Sequence, residues 1–404
     1  MTTAIEISIE QLDASPVIKP RLLTWPLIRV LLVSFGAMTS FYLLLALVPM
    51  YADANGASAA GAGLATGVLM LSTVGVELVS PALIARFGNR RTVGSGLLLL
   101  GVPALALPGS ESMVTILAVC LVRGAGFAIV VVVIGAWVAA MAPRERRGEA
   151  LGVGGVVASV PAVIMLPLGV WLAERVGYSP LFIGGAVTAL VGLLAMVGLA
   201  DEQPDQEQPD TTQPFGMRDG LTSSALLRPA VVFSATAMAA GIVATFLPVA
   251  LGEASGGLAA IALLTQAAAA TIGRWWAGRY GDRHGAAKLL VPSVLVATVG
   301  MLGVVLSSPV AVMVGMVLFG AGFGAAQNSS LAVMFDRAPS SGCGTVSAVW
   351  SIAYDAGLGL GATGFGVVVL STGYPAAFAL TAGLMLAVLL VVLPRGRDGY
   401  PQRG

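Results

Sequence analysis

The sequence predicts an all-α, polytopic membrane protein with twelve transmembrane helices. Three observations support this fold class: 57% of the residues are hydrophobic, only 10% are charged, and the mean hydropathy is +0.92. A soluble globular domain carries about 25% charged residues, and it could not bury so much apolar surface away from water. Glycine contributes 52 residues, as expected where transmembrane helices pack closely. The 404 residues therefore indicate one membrane protein rather than several soluble domains.

The count of twelve comes from the apolar segments. A transmembrane helix needs about 20 predominantly apolar residues, and six such segments occur in each half of the chain. The third segment is short and contains Pro103, so the count depends on it most. The predicted limits are 27–51, 60–83, 92–108, 113–141, 150–172, 180–199, 229–251, 258–277, 289–307, 310–335, 345–370 and 374–394.

The basic residues test this count. If the chain crosses the membrane twelve times as predicted, all but two of the 21 basic residues lie in segments on one side of the membrane. The exceptions are Arg175 on the other side and Arg123 inside a span. Because cytoplasmic loops carry the excess of Lys and Arg, we expect a multi-pass protein of the cytoplasmic membrane with both termini in the cytoplasm.

A polar segment, Asp201 to Asp210, separates the two halves of the chain and is too polar to enter a bilayer. Short motifs recur across it: Gly124-Ala125-Gly126-Phe127 and Gly320-Ala321-Gly322-Phe323 are 196 residues apart, as are Gly177-Tyr178 and Gly373-Tyr374. An even number of spans per repeat predicts parallel halves, related by an axis along the membrane normal. The predicted organisation is a tail (1–26), a six-helix bundle (27–199), a cytoplasmic linker (200–228), a second bundle (229–394) and a tail (395–404).

Two loops carry a motif of glycines and charges. Between the eighth and ninth spans the motif residues are Gly278, Gly281, Asp282, Arg283, Gly285 and Lys288; between the second and third they are Arg86, Gly88, Arg90 and Arg91, with Ala85 in place of the Asp. The complete copy resembles the loop signature of the major facilitator superfamily. The resemblance implies a role in gating. The alternative is that the basic residues only hold each loop on the cytoplasmic side.

The fourth span carries a second resemblance to the same superfamily. Leu117-x-x-x-Leu121-x-Arg123-Gly124-x-Gly126 is similar to the motif of its fourth helix, which contains a buried arginine. A guanidinium at that depth costs about 3 kcal/mol even on lenient insertion scales. We therefore expect Arg123 to face a water-filled cavity and to have a partner; the alternative is that it reaches to the outer interface.

Two carboxylates are predicted inside the membrane. Asp355 lies in the eleventh span and Glu77 in the second, at similar depth from the cytoplasmic side. In the superfamily fold these spans meet between the halves, so the resemblance implies that the two acids approach each other. Because two close carboxylates in a low-dielectric interface cannot both ionise cheaply, we predict that Asp355, in contact with Glu77, carries a coupling proton. Either acid could instead hydrogen-bond a broken helix. The predicted substrate and coupling residues are completed by Tyr42, Phe127, Trp350 and Tyr354.

The resemblance covers roughly residues 27–394 and implies two bundles around a central cavity that opens to alternate sides. The expected partners are a small-molecule substrate, protons and the lipid bilayer. The near-neutral net charge of +1 argues against nucleic acid, and no cofactor, metal site or nucleophile and base pair is evident. We expect a monomer without enzymatic activity.

The predicted cavity wall is mostly apolar, which favours an amphipathic cargo exported by proton antiport. Import of a small organic anion with a proton, with Arg123 as its contact, remains an alternative, as do an intramembrane enzyme and a sensor that does not transport. The aromatic residues expected on the wall are Phe35, Phe41, Tyr42, Phe127, Phe246, Phe319 and Phe323.

Overall fold

The computed structural model describes residues 23–142, 147–199, 216–252, 257–306, 308–339 and 342–392, and within them the ordered elements are all helical. The long helices are α1 (Trp25–Ala54), α2 (Ala59–Phe87), α3 (Asn89–Gly101), α4 (Met113–Met141), α5 (Arg147–Val176), α6 (Tyr178–Ala195), α7 (Ser224–Leu251), α8 (Leu258–His284), α9 (Leu290–Val305), α10 (Pro309–Arg337), α11 (343–372) and α12 (374–392). Short turns of 3₁₀ helix follow α3 (Val102–Ala106) and precede α9 (Ala286–Leu289).

Ten helices in the described part of the chain are long and apolar enough to cross a membrane. That number treats Gly344–Leu389 as one segment, although Gly373 has non-helical dihedral angles and separates α11 from α12. It also omits α3, which has only 13 residues and continues as the 3₁₀ turn that contains Pro103. The all-helical membrane fold class is confirmed. The exact count of twelve depends on these two places.

Large apolar side chains remain exposed on the outer faces of the helices. Val114 is 77% exposed, Leu306 72% and Leu360 72%. A water-soluble protein rarely leaves apolar patches on this scale uncovered. Lipid is the solvent that such surfaces require, so the exposure agrees with the composition.

The ends of several helices differ from the predicted limits. Only the end of the predicted linker 200–228 lies within the described residues; it forms a short helix, Met217–Thr222, and α7 begins at Ser224 rather than at 229. On the side of the membrane where this linker lies, hereafter the linker side, α8 continues to His284 instead of ending at 277. Most of both predicted tails, residues 1–22 and 393–404, falls outside the described residues.

Glycine turns reproduce the repeat that the sequence predicts. Gly88 follows α2 with φ 78°, and Gly285 follows α8 with φ 91°. Gly177 precedes α6 and Gly373 precedes α12, both with φ 76°. Positive φ strains any residue with a Cβ atom, so these reversals require glycine. Equivalent turns therefore stand at equivalent places in the two halves.

The two halves meet along a few helices. α2 packs against α11, α5 against α8, and α1 against α7. The contact between α2 and α7 includes a buried hydrogen bond between the hydroxyls of Thr66 and Thr245, at 3.0 Å. Side chains from both halves therefore enclose whatever space lies between them.

Candidate functional site

A cavity of about 360 Å³ lies between the halves. It is lined from the first half by α1, α2, α4 and α5, and from the second by α7, α8, α10 and α11. Its volume lies at the lower end of the range for small-molecule sites. Its position matches the central cavity that the sequence predicts.

Six of the seven predicted substrate and coupling residues line this cavity. They are Tyr42, Glu77, Phe127, Trp350, Tyr354 and Asp355. These side chains come from α1, α2, α4 and α11, so the fold brings together residues that are more than three hundred positions apart in the sequence. The seventh, Arg123, is placed elsewhere.

Glu77 of α2 and Asp355 of α11 come together across the interface of the halves. Both side chains line the cavity, and their carboxyl groups interact with each other there. Asp355 is only 4% exposed, and Oε2 of Glu77 is buried without a donor. A carboxylate oxygen can only accept, so the contact is a hydrogen bond only when one of the two groups carries a proton. Two carboxyl groups that face each other in this way can share a proton.

Two tyrosines adjoin the carboxyl pair. Tyr42 on α1 and Tyr354 on α11 interact with each other on the cavity wall, and both phenols interact electrostatically with Asp355. The ring of Tyr354 belongs to an aromatic series that continues through Trp350 and Phe233, whose rings stack at 4.6 Å between centroids. The indole nitrogen of Trp350 donates to Ser330 at 3.1 Å. These contacts hold the polar groups on a rigid wall.

Arg123 does not reach the cavity. It is 1% exposed, and its guanidinium donates to the backbone carbonyls of Leu100, at 2.6 Å, and Ser40, at 3.2 Å. Leu100 lies where α3 tightens into the 3₁₀ turn, and such a transition leaves carbonyl oxygens without their usual amide. The partners of Arg123 are therefore backbone carbonyls of α3 and α1. The side chain neither faces the cavity nor reaches the outer interface, as the two sequence-based alternatives required.

A second arginine, Arg274 of α8, lies on the cavity wall instead. Its guanidinium donates to the hydroxyl of Ser159 at 3.4 Å, and its Nε is buried without a partner in the described structure. The distribution of basic residues assigned Arg274 to the cytoplasmic side, but the structure places it on the cavity wall, ten residues before the end of α8. Its position three residues inside the predicted span 258–277 could have indicated that Arg274 lies within the helix rather than in a loop.

The cavity wall is also more polar than predicted. Gln266, Thr271, Gln327 and Ser351 line it together with the charged groups, and the side-chain oxygen of Gln327 is buried without a partner. Of the aromatic residues expected there, Tyr42, Phe127 and Phe323 are on the wall. Phe41 stacks behind Phe127, Phe246 and Phe319 are fully buried, and Phe35 is 37% exposed. The sequence of each helix could not show which of these aromatic side chains face the cavity, because the helices are apolar on all sides.

The predicted gating loops prove to be very short. Gly278, Gly281, Asp282 and Arg283 lie in the last turns of α8, Arg86 lies at the end of α2, and Arg90 and Arg91 lie in the first turn of α3. The turns themselves are Gly88 and Gly285, the latter followed by the 3₁₀ turn with Lys288. Asp282 is exposed. Among the described residues, no cluster of His, Cys, Asp and Glu could hold a metal ion.

Comparison with known proteins identifies the architecture. A family model described as Major Facilitator Superfamily matches residues 30–362 and 230–403. No curated protein matches the chain by sequence.

Solved structures share the fold at low sequence identity. The nucleoside transporter NupG is 12% identical with a TM-score of 0.74, covering 93% of this chain and 100% of that one. The xylose transporter XylE from E. coli, in a partially occluded inward open conformation, is 12% identical with a TM-score of 0.73 and coverages of 93% and 100%. A bacterial homologue of the human lysosomal transporter Spinster is 13% identical with a TM-score of 0.69 and coverages of 93% and 96%. Identities this low establish the fold alone.

Proposed function

The chain belongs to the major facilitator superfamily and is a multi-pass membrane transporter, and from this premise we propose that it couples proton movement to the transport of a small amphipathic organic molecule. We place it in the cytoplasmic membrane with both termini inside. The proposal depends on one observation above all: Glu77 and Asp355 line the same cavity from different halves of the chain and interact with each other there.

The pair belongs to both halves of the protein. Glu77 is on α2 of the first half and Asp355 on α11 of the second. Two carboxylates this close in a low-dielectric interface repel each other when both are ionised, which favours the state with a shared proton. When the halves separate, the two carboxyl groups move apart and become hydrated. Their mutual repulsion then falls, and the shared proton is released more easily.

Alternating access then links proton binding to conformation. A proton stabilises the arrangement in which α2 and α11 meet at the pair, and its release favours separation there. Because cargo enters the same cavity, its binding and the protonation of the pair are thermodynamically linked. A proton gradient can thereby drive the cargo uphill.

Two directions are compatible with such a pair. Efflux by proton antiport is favoured by the apolar and aromatic part of the wall, which suits an amphipathic cargo. Import of a small organic anion together with a proton is favoured by a specific observation, the presence of Arg274 in the same cavity. The anion contact of this second candidate is then Arg274, not Arg123.

The test begins with a cargo found by comparing the metabolites and drug susceptibility of cells with and without the gene. The purified protein is reconstituted into liposomes, and the labelled cargo is followed under an inward, an outward and no proton gradient. Accumulation with the gradient supports symport, and accumulation against it supports antiport. Uphill accumulation that is the same under all three conditions would refute proton coupling.

A further inference from the structure

Arg274 is a cation on the cavity wall, far from either end of its helix. It lies ten residues before the end of α8, or about 15 Å at 1.5 Å per residue. Its Nε has no partner in the described structure, and its hydrogen bond to Ser159 uses a neutral hydroxyl at a long 3.4 Å. The ionisable groups that act on it are the phenols of Tyr354 and Tyr42. No described carboxylate is among them.

The two carboxyl groups in the cavity are engaged with each other. Glu77 and Asp355 are the acidic residues on the wall, and each is the other's partner. A guanidinium buried in a cavity wall without a carboxylate in direct contact is costly. Such a group is retained where something else supplies the negative charge.

We propose that Arg274 binds an anionic group of the cargo, specifically a carboxylate, whose aromatic or alkyl body packs against Phe127 and Phe323. A guanidinium presents paired donors that match the two oxygens of a carboxylate. Both phenylalanines line the same cavity, on α4 and α10. The inference rests on the proposed function, because it names the cargo class of that cavity.

The charge balance of the cavity indicates which of the two transport modes, symport or antiport, suits an anionic cargo. With one proton on the carboxyl pair, the pair carries one negative charge and Arg274 carries one positive charge, so the empty cavity is neutral. With a monoanionic cargo bound, the cavity stays neutral only if the pair takes up a second proton. Anion and proton therefore bind together, which favours electroneutral symport over antiport.

The experiment compares probes that share a body and differ in charge: phenylacetate, phenylacetamide and phenethylamine, then octanoate, octanamide and octylamine. Their binding to the protein in lipid nanodiscs is measured from the shift of the thermal unfolding midpoint. We expect carboxylates to bind and the amides and amines not to bind. In Arg274→Gln the carboxylate Kd should rise at least about 30-fold, as when one partner of a buried charge pair is removed. Arg274→Lys, which keeps the charge but not the paired donors, should lose less.

Arg279→Gln is the matched control, because Arg279 is exposed on the same helix and stacks on the ring of Trp275. It should bind carboxylates like the wild type. The inference is overturned if no carboxylate binds, if an amide or amine binds as tightly, or if Arg274→Gln keeps the wild-type Kd. The comparison of probes on the wild type decides even if Arg274→Gln does not fold.

The two proposals fail in distinguishable ways. Carboxylate binding that depends on Arg274, without any proton movement during transport, would refute proton coupling and leave the anion site. Proton-coupled transport of the amines alone would refute the anion site and leave the coupling.

Discussion

Replacing Gly366 by alanine should weaken the closed contact between α2 and α11. Gly366 approaches the start of α2 so closely that a Cβ atom would lie 2.5 Å from the carbonyl oxygen of Ala59. Ordinary contact begins at 3.4 Å, so the two helices must separate by about 0.9 Å locally. Overpacking of this kind costs about 1–3 kcal/mol. Because α2 and α11 belong to different halves, the cost applies only while the side opposite the linker is closed, and the closed population should fall about 5- to 150-fold relative to the open one.

The assay is a distance measurement between spin labels on Asp53→Cys and Val249→Cys, in a background without other cysteines. These positions end α1 and α7 on the side opposite the linker and line one pocket there. Gly364→Ala is the matched control, since a Cβ at Gly364 meets nothing within 4 Å. We expect longer distances for Gly366→Ala and an unchanged distribution for Gly364→Ala. Identical distributions for both variants would refute the reasoning.

The remaining predictions concern topology, the α8 turn and Arg123. Cysteine at Asp53 should react with an impermeant reagent outside intact cells and cysteine at Arg218 should not; the reverse labelling would invert the topology. Asp282→Asn should slow turnover while cargo affinity stays near wild type, and an unchanged rate at normal expression would leave the turn as a topology anchor. Arg123→Ala should lower stability by on the order of 2 kcal/mol, through lost hydrogen bonds to Leu100 and Ser40, and should lower the unfolding midpoint. If Arg123→Ala lost cargo affinity at normal stability, that result would contradict a purely structural role for Arg123.

Much of the helical framework could be predicted because it depends on local properties. Apolar run length and basic residues identify spans, and the recurrence of Gly177 at Gly373 anticipates the break between α11 and α12. The limits were least accurate where a helix continues into polar sequence, as α8 does to His284. Backbone hydrogen bonds continue the helix into this polar segment, and the hydrophobicity of the sequence does not indicate where they end.

The site was predicted where residue type alone implied the environment. Buried acids must find partners, and similar depth together with the superfamily resemblance, which brings the second and eleventh spans together, was enough to pair Glu77 with Asp355. The contacts of Arg123 could not be predicted, because they depend on backbone carbonyls of α3 and α1 that only the folded packing brings to its guanidinium. Nor could spacing show that Gly366 packs against α2 while Gly364 faces open space, since both belong to the same series of small residues.

The central claim is that the Glu77 and Asp355 pair carries the coupling proton. The most direct test compares gradient-driven accumulation with cargo exchange at equal pH in liposomes containing Asp355→Asn. Asparagine mimics the protonated side chain, so the account predicts that accumulation is abolished while binding and exchange persist. Asp336→Asn, which alters an exposed carboxylate near the end of α10, should keep both activities. Uphill accumulation by Asp355→Asn at the wild-type rate would contradict the account.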